Sequence, residues 1–429
     1  MMVHCTAAFH QVNSHWETRL AISCKRRLFS ALSLLFLATA LAGAQTTISA
    51  ADPAQRMAYR PSDPANAAAF DHFYNLEYDQ SAEGFSQVLQ RHPDDPFAVN
   101  HYMAAILYRE LYKLDLLNTG EYAHDNFIKA SHQPPDAKFQ QQFQDLVQRA
   151  FKLEEARLNA DPNDLDALYA RGVTRAQFSV YTGLMQRAWI SALRNAVGAR
   201  HDEEKVLELA PQTVQAKLIV GTHLYVLGSL PWSLRTAGGI FGLSGNKEKG
   251  LQYLKDCADG PGETSVDAKI LLVLFYRRER RFTDALPVDR ELIAAYPKNL
   301  LMTLEEGNLL RELNHNDDAA AVYRKIFQAG REGHYGGLHY EIAAYSLGEL
   351  LRDQKDYTGA AAAYEEVGTA ANPEQDILQK ANLAAGEVYD KLQKRDLAVK
   401  KYHAVIAADS KSKLAETATE YLKEPYKGE

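Results

Sequence analysis

From about residue 67 to the C-terminal end, apolar residues recur at spacings of three and four, the period of a helix with one buried face. No run of alternating β-branched residues bounded by turns interrupts them, so the pattern predicts an all-α chain with helices beginning near Ala67. A finer pattern lies inside it. A small residue is followed four positions later by a large one and seven later by an aliphatic one: Ser81, Phe85, Val88; Ala319, Tyr323, Ile326; Ala360, Tyr364, Val367; Ala398, Tyr402, Val405. Gly250, Leu254, Cys257 and Ala285, Asp289, Leu292 keep the outline, although Asp289 stands where an aromatic is expected. Successive units from Gly250 are separated by 35, 34, 41 and 38 residues. Twelve residues before the last three small positions stand Gly307, Gly348 and Gly386, followed three residues later by Leu310, Leu351 and Tyr389, so each unit is predicted to be a pair of helices.

Proline divides the chain in the same way. Pro93, Pro162, Pro211, Pro297 and Pro373 follow candidate second helices and cannot continue them. The central pairs read as longer, at about 98–160, 164–209 and 213–259. A segment 67–260 of long pairs would thus precede a segment 261–424 of shorter repeats, closed by an amphipathic capping helix over 412–424 and a tail at 425–429.

Leu347, Gly348, Tyr357, Ala360, Tyr364 and Pro373 make one nearly complete copy of a known repeat, and on these residues the chain resembles the tetratricopeptide repeat family over about residues 67–424. The resemblance implies a right-handed α-solenoid in which the small residue of a first helix lets the second helix pack close. Gly221 to Gly250, with the following Leu251–Cys257 and Ile270–Tyr276, is similar to the eukaryotic inclusion-body-clearance tetratricopeptide proteins and their bacterial relatives. That likeness informs fold more than function.

The N-terminus reads differently. Lys25, Arg26 and Arg27 precede an apolar run, Leu28 to Leu41, ending in Ala42-Gly43-Ala44, which is the order of a secretory signal peptide. The run is shorter than the ~20 residues that span a bilayer comfortably. A retained anchor is the alternative. The 24 residues before it make a long lead-in, and a translation start farther along, for example at Leu20, would explain them. Cleavage after Ala44 would leave an exported chain, periplasmic or secreted, with a flexible lead at 45–66. Only Cys257 would remain of the three cysteines, so no internal disulfide could form.

Composition narrows the remaining choices. With 46% hydrophobic and 24% charged residues the chain suits a folded body, and its formal charge of −7 gives no overall basic field for nucleic acid. Removing residues 1–44 leaves 44 Lys and Arg against 54 Asp and Glu, or −10. Gly238, Gly239, Gly242 and Gly245 are glycine-rich, but Asn246 and Glu248 stand where a phosphate loop needs other residues. His334 and His339 lie five apart and do not share a helical face, and no zinc-hydrolase or nucleophile-elbow motif occurs. No catalytic residue, metal or cofactor is assigned, and the chain is expected not to be an enzyme.

What remains is the surface of stacked first helices, which suits an extended or helical peptide. Arg277, Arg311 and Arg352 stand four residues after Val273, Gly307 and Gly348, so the repeat would align them in successive units. Tyr345, Tyr169, Tyr225 and Asn308 fall on the corresponding faces and would add stacking and hydrogen bonds. An acidic or carboxylate-bearing ligand would fit such a ladder. Surface arginines paired with neighbouring Glu312 and Asp353 are the plainer reading of the same residues. Function is therefore expected to be that of an exported scaffold or adaptor for a protein or peptide. The alternative is an envelope carrier or membrane-associated factor that contacts lipid or a hydrophobic ligand through residues 230–243, with Trp232 and Phe241 in contact; a packed connection between helices is the plainer reading of that segment.

Overall fold

A computed structural model describes residues 59–114, 116–117, 135–229, 244–262, 264–336 and 338–428, and the regular structure among them is helical. The expected signal peptide and the segment with Trp232 and Phe241 lie outside the described residues. Two compact units divide the chain, one up to residue 279 and one from Arg280 onward. The first holds α1 (Ala65–Tyr74), α2 (Tyr78–Arg91), α3 (Pro96–Lys113), α4 (Ala137–Ala160), α5 (Leu165–Val180), α6 (Trp189–Leu209), α7 (Lys217–Gly228), α8 (Lys247–Ala258) and α9 (Thr264–Arg278). The second holds α10 (Phe282–Ala295), α11 (Leu300–Glu312), α12 (Asn316–Arg331), α13 (Glu341–Asp353), α14 (Tyr357–Val367), α15 (Gln375–Lys391), α16 (Arg395–Ala408) and α17 (Lys413–Lys423). Among the described residues no helix is long and apolar enough to cross a membrane.

Local chemistry sets where these helices start and turn. The side chains of Asp95, Asp136, Asp164, Asn246, Asn299, Asp356 and Ser412 each accept a backbone N–H of the first turn that follows, satisfying donors that a helix start leaves open. All five expected prolines fall in the turns between pairs. Within pairs the turn has one recurring form. Leu76, Asn314, Lys355 and Gln393 take positive φ of 62°, 60°, 65° and 59°, and the next residue's N–H returns to a carbonyl five residues back: Glu77 to His72, His315 to Leu310, Asp356 to Leu351 and Lys394 to Tyr389. This is the hydrogen bond of a Schellman closure, made here without glycine.

The core follows the small–large–aliphatic pattern. Ser81, Phe85 and Val88, and each corresponding set through Ala398, Tyr402 and Val405, are buried. Ala285, Asp289 and Leu292 are buried too, so Asp289 occupies an interior slot, and its Oδ2 has no hydrogen-bond partner there. Burial, with Glu305 and Glu306 nearby, pushes its carboxyl well above the usual carboxylate range. In the second unit the repeat glycines meet tyrosines. A Cβ at Gly307, Gly348 or Gly386 would stand 2.4, 2.4 or 2.5 Å from Cε1 of Tyr323, Tyr364 or Tyr402. Each of those phenols donates to the same first helix: Tyr323 to Asn308 Oδ1 at 2.9 Å, Tyr364 to Glu349 Oε1 at 2.6 Å and Tyr402 to Asp390 Oδ2 at 2.9 Å.

The first unit is less regular. Gly172 of α5 faces not a tyrosine but Glu203 of α6, whose Oε1 would stand 2.3 Å from an added Cβ. Helix α1 also reaches α9: the buried Tyr74 hydroxyl donates to buried Asp267 Oδ1 at 2.8 Å across 193 residues of chain. The segment before α1 departs from expectation. Residues 59–66 were expected to be part of a flexible lead, yet Tyr59 stacks on Phe70 with ring centroids 4.9 Å apart and Asp63 is buried. Two guanidinium bonds from Arg91, at 2.7 and 2.8 Å, hold the Asp63 carboxyl well below its ordinary range and fix the segment.

Hydrogen counting fixes one further buried group. Thr174 Oγ1 lies 2.8 Å from Asn100 Oδ1 and 2.5 Å from Glu154 Oε1, while Asn100 Nδ2 donates to the Ala170 carbonyl at 2.9 Å. The Asn100 orientation is set by that last bond, so Oδ1 must accept. One hydroxyl proton cannot serve two acceptors, and the Glu154 carboxyl supplies the second proton. Burial pushes Glu154 up to about 8, opposed by Arg171 and Arg175 and reinforced by Asp202.

Two predictions follow from packing. Gly307→Leu drives a side chain into the Tyr323 ring and should cost the second unit about 3 kcal/mol or more, read as a lowered urea midpoint; a parental melt would overturn the close-packing account. For Glu154 the folded state keeps a proton that the unfolded chain releases above about 4.5. Stability is therefore full below that pH and falls by up to ~1.4 kcal/mol per pH unit until about 8. Denaturant titrations of Glu154→Gln against the parent should show a shallower fall of stability with rising pH in the variant, and identical slopes would mean that Glu154 is ionised.

Candidate interaction surface on the first helices

In a helix pair the residues one and four positions after the repeat glycine lie beside one another on the first helix. In the second unit these are Asn308 and Arg311 on α11, Glu349 and Arg352 on α13, and Glu387 and Asp390 on α15. The underlying tyrosines position the first of each pair on α11 and α13. Tyr323 donates to Asn308, and Asn308 Nδ2 contacts Glu305 Oε2 at 3.3 Å; Tyr364 donates to Glu349. The arginines are held by carboxylates. Arg311 Nη2 pairs with Asp353, while Arg352 reaches Glu349 at 2.8 Å on its own helix and Glu387 at 3.4 Å on α15. Each guanidinium thus ties one first helix to the next.

Tyr345, half-buried on α13, lies 5.8 Å from the Tyr364 ring, and burial together with the Glu349 carboxylate pushes its phenol upward. Glu387 is the group placed to titrate near neutrality. Burial pushes its carboxyl up to about 7, Arg352 pulling it down and Glu349 adding to the rise.

Arg311, Arg352, Asn308 and Tyr345 therefore come together on neighbouring first helices, held in a network that also contains Glu349 and Glu387. Arg277 is half-buried near the end of α9 in the first unit. Tyr169 and Tyr225 are a correction: both are fully buried and cannot form part of a ligand face. Tyr225 stacks on Phe275 at 3.9 Å and donates to Glu279 at 2.9 Å, so its ring is core and its hydroxyl is spent inside the unit. Glu349, Glu387 and Asp390 were missed. The signal was present in the repeat register, since each stands at the position of Asn308 or Arg311.

Residues 304–375 match the family model described as tetratricopeptide repeat. No curated protein matches the chain. Among solved structures, a tetratricopeptide repeat protein from Parabacteroides merdae is 13% identical, with 78% of this chain and 97% of that one covered and a TM-score of 0.29. The human IFIT1 dimer with m7Gppp-AAAA is 11% identical, covering 92% of this chain and 85% of that one at a TM-score of 0.37. The P58(IPK) TPR domain is 12% identical, with 85% and 99% covered and a TM-score of 0.21.

The network predicts a titration. Carboxyl-detected NMR should place the Glu387 midpoint near 7, and Arg352→Gln should move it upward by roughly one pH unit, because a favourable neighbour of the charged form is lost. A parental midpoint near 4.5 would show that the carboxylate is solvated and the network is not formed.

Proposed function

We propose that this tetratricopeptide-repeat chain is a non-enzymatic scaffold that binds a protein or peptide across the first helices α11 and α13. The observation that carries the reading is the shared register of partly exposed polar groups, Asn308 with Arg311 and Glu349 with Arg352, set above a Gly–Tyr packing layer that fixes their backbone. Such a rigid row suits recognition because little ordering is left to oppose binding.

The charges refine the partner. Arg311 and Arg352 already have carboxylate neighbours, so a purely acidic ligand must displace Asp353, Glu349 or Glu387. A segment carrying both signs exchanges these pairs without leaving a charge unpartnered. Export belongs to the same proposal, supported by the basic triplet Lys25–Arg27, the apolar run and the small residues at 42–44.

One experiment addresses both parts. A photoreactive amino acid at position 345 is expressed in cells, and the adduct is identified and mapped by mass spectrometry. The expected result is one protein adduct that is lost in Arg311→Glu while the variant keeps the parental melting temperature, on a chain whose N-terminus is Gln45. An adduct indifferent to Arg311→Glu would overturn the surface. Crosslinked chain retaining residues before 45 would overturn cleavage while leaving the scaffold reading intact.

A further inference from the structure

The third first helix of the second unit carries something the others do not. On α15 the positions four and five after the repeat glycine are Asp390 and Lys391, where α11 has Arg311 and Glu312 and α13 has Arg352 and Asp353. Beyond α17 the chain leaves the helix at Glu424, whose φ of −127° and ψ of 123° are extended, and Pro425 prevents its resumption. It then runs back onto those two positions. Tyr426 N–H donates to Asp390 Oδ2 at 2.9 Å, and Lys391 Nζ donates to the Lys427 carbonyl. The Tyr426 ring lies 5.2 Å from that of Tyr421, with Lys391 Nζ 5.6 Å from its centroid. Tyr426 and Gly428 are half-buried while Pro425 and Lys427 are exposed, the alternation of a strand-like segment lying on a surface.

The receiving site is built and not incidental. The Asp390 side chain, 1% exposed with residues 425–428 in place, is also held from within the unit: Arg395 Nη1 donates to both its oxygens at 2.9 Å and Tyr402 donates at 2.9 Å. Arg395 Nη2 also takes the last carbonyls of α17, Tyr421 at 2.6 Å and Leu422 at 2.9 Å, which sets the angle at which the chain exits. A buried carboxylate with a lone pair directed outward is a receptor for a backbone N–H, and the neighbouring lysine is a receptor for a carbonyl.

We infer that the face formed by α15 and α17 is a site for an extended peptide with an aromatic side chain, and that the chain's own residues 425–428 occupy it as a displaceable strap. This deepens the scaffold reading by extending the row of first-helix sites to α15, and it rests on that reading only for the identity of the eventual competitor. In the tethered form the strap competes at an effective concentration in the millimolar range. A partner that supplies its own aromatic residue and backbone must displace it, so the third position is closed until a ligand held by α11 and α13 reaches it.

The test needs no partner. The probe is the labelled peptide Glu-Pro-Tyr-Lys-Gly-Glu, residues 424–429 of the sequence, offered to the full chain and to its Tyr426→Ala variant, alongside hydrogen exchange of the tail amides. In the parent the Tyr426 amide should exchange at least tenfold more slowly than in the free peptide. Tyr426→Ala should keep the parental melting temperature and bind the peptide roughly tenfold more tightly than the parent, and adding Lys391→Glu should abolish that gain. Asp390 is left unaltered because Arg395 and Tyr402 depend on it. Free-peptide exchange in the parent, or equal peptide binding by parent and Tyr426→Ala, would overturn the strap. Either failure leaves the α11–α13 surface standing, and a failed crosslink at position 345 leaves the strap standing.

Discussion

The regular part of the structure depends on one close approach, the edge of a second-helix tyrosine against a first-helix glycine. Gly307, Gly348 and Gly386 admit Tyr323, Tyr364 and Tyr402 where a single methyl would overlap the ring. Glycine within a helix costs about 1 kcal/mol relative to alanine. A buried tyrosine offsets it with apolar area and with a hydroxyl that donates to a polar side chain of the first helix. The core contact and the surface residue are thereby linked: Tyr364 packs beneath Gly348 and also fixes Glu349, which in turn holds Arg352. Changing the interior therefore moves the exterior.

The first unit shows what happens when that contact is replaced. Glu203 fills the slot against Gly172, both of its carboxyl oxygens lack hydrogen-bond partners, and burial pushes it well above the ordinary carboxylate range. Asp267, Glu154 and Glu203 are thus neutral acids in an interior, stable while their protons stay. His101 and His223 pull the other way. Burial lowers both to about 3, so the folded state declines protons that the unfolded chain accepts below 6.5. The carboxyls lose stability as pH rises and the imidazoles lose it as pH falls, which narrows the pH range in which this unit is most stable.

Much of the fold was legible because it rests on short-range spacing. The small–large–aliphatic triplets are all buried, and the five dividing prolines Pro93, Pro162, Pro211, Pro297 and Pro373 lie between helices. What escaped was long-range or depended on depth. Nothing near Tyr74 announces Asp267, 193 residues away. Tyr169 and Tyr225 share the helical face of Tyr345, yet lie at full depth while Tyr345 is half-buried, because periodicity gives direction around a helix and not how much protein lies beyond it. The arginines were found by register, but register does not reveal that carboxylates from the following helix already reach them.

That distinction bears on how the surface can work. A row of free cations would attract any acid, whereas Arg352 shared between Glu349 and Glu387 is already balanced and gains only from a ligand that restores both pairings. Glu387, poised near 7, makes the balance adjustable, since its protonation releases part of Arg352's hold at small cost. At α15 the same positions are reversed in sign and satisfied by the chain's own backbone. Along three successive first helices the residues at one register thus change from an arginine facing one acid, to an arginine between two, to an acid receiving a peptide N–H. A single uniform ligand does not match that sequence of demands; an extended segment with a different group at each step does.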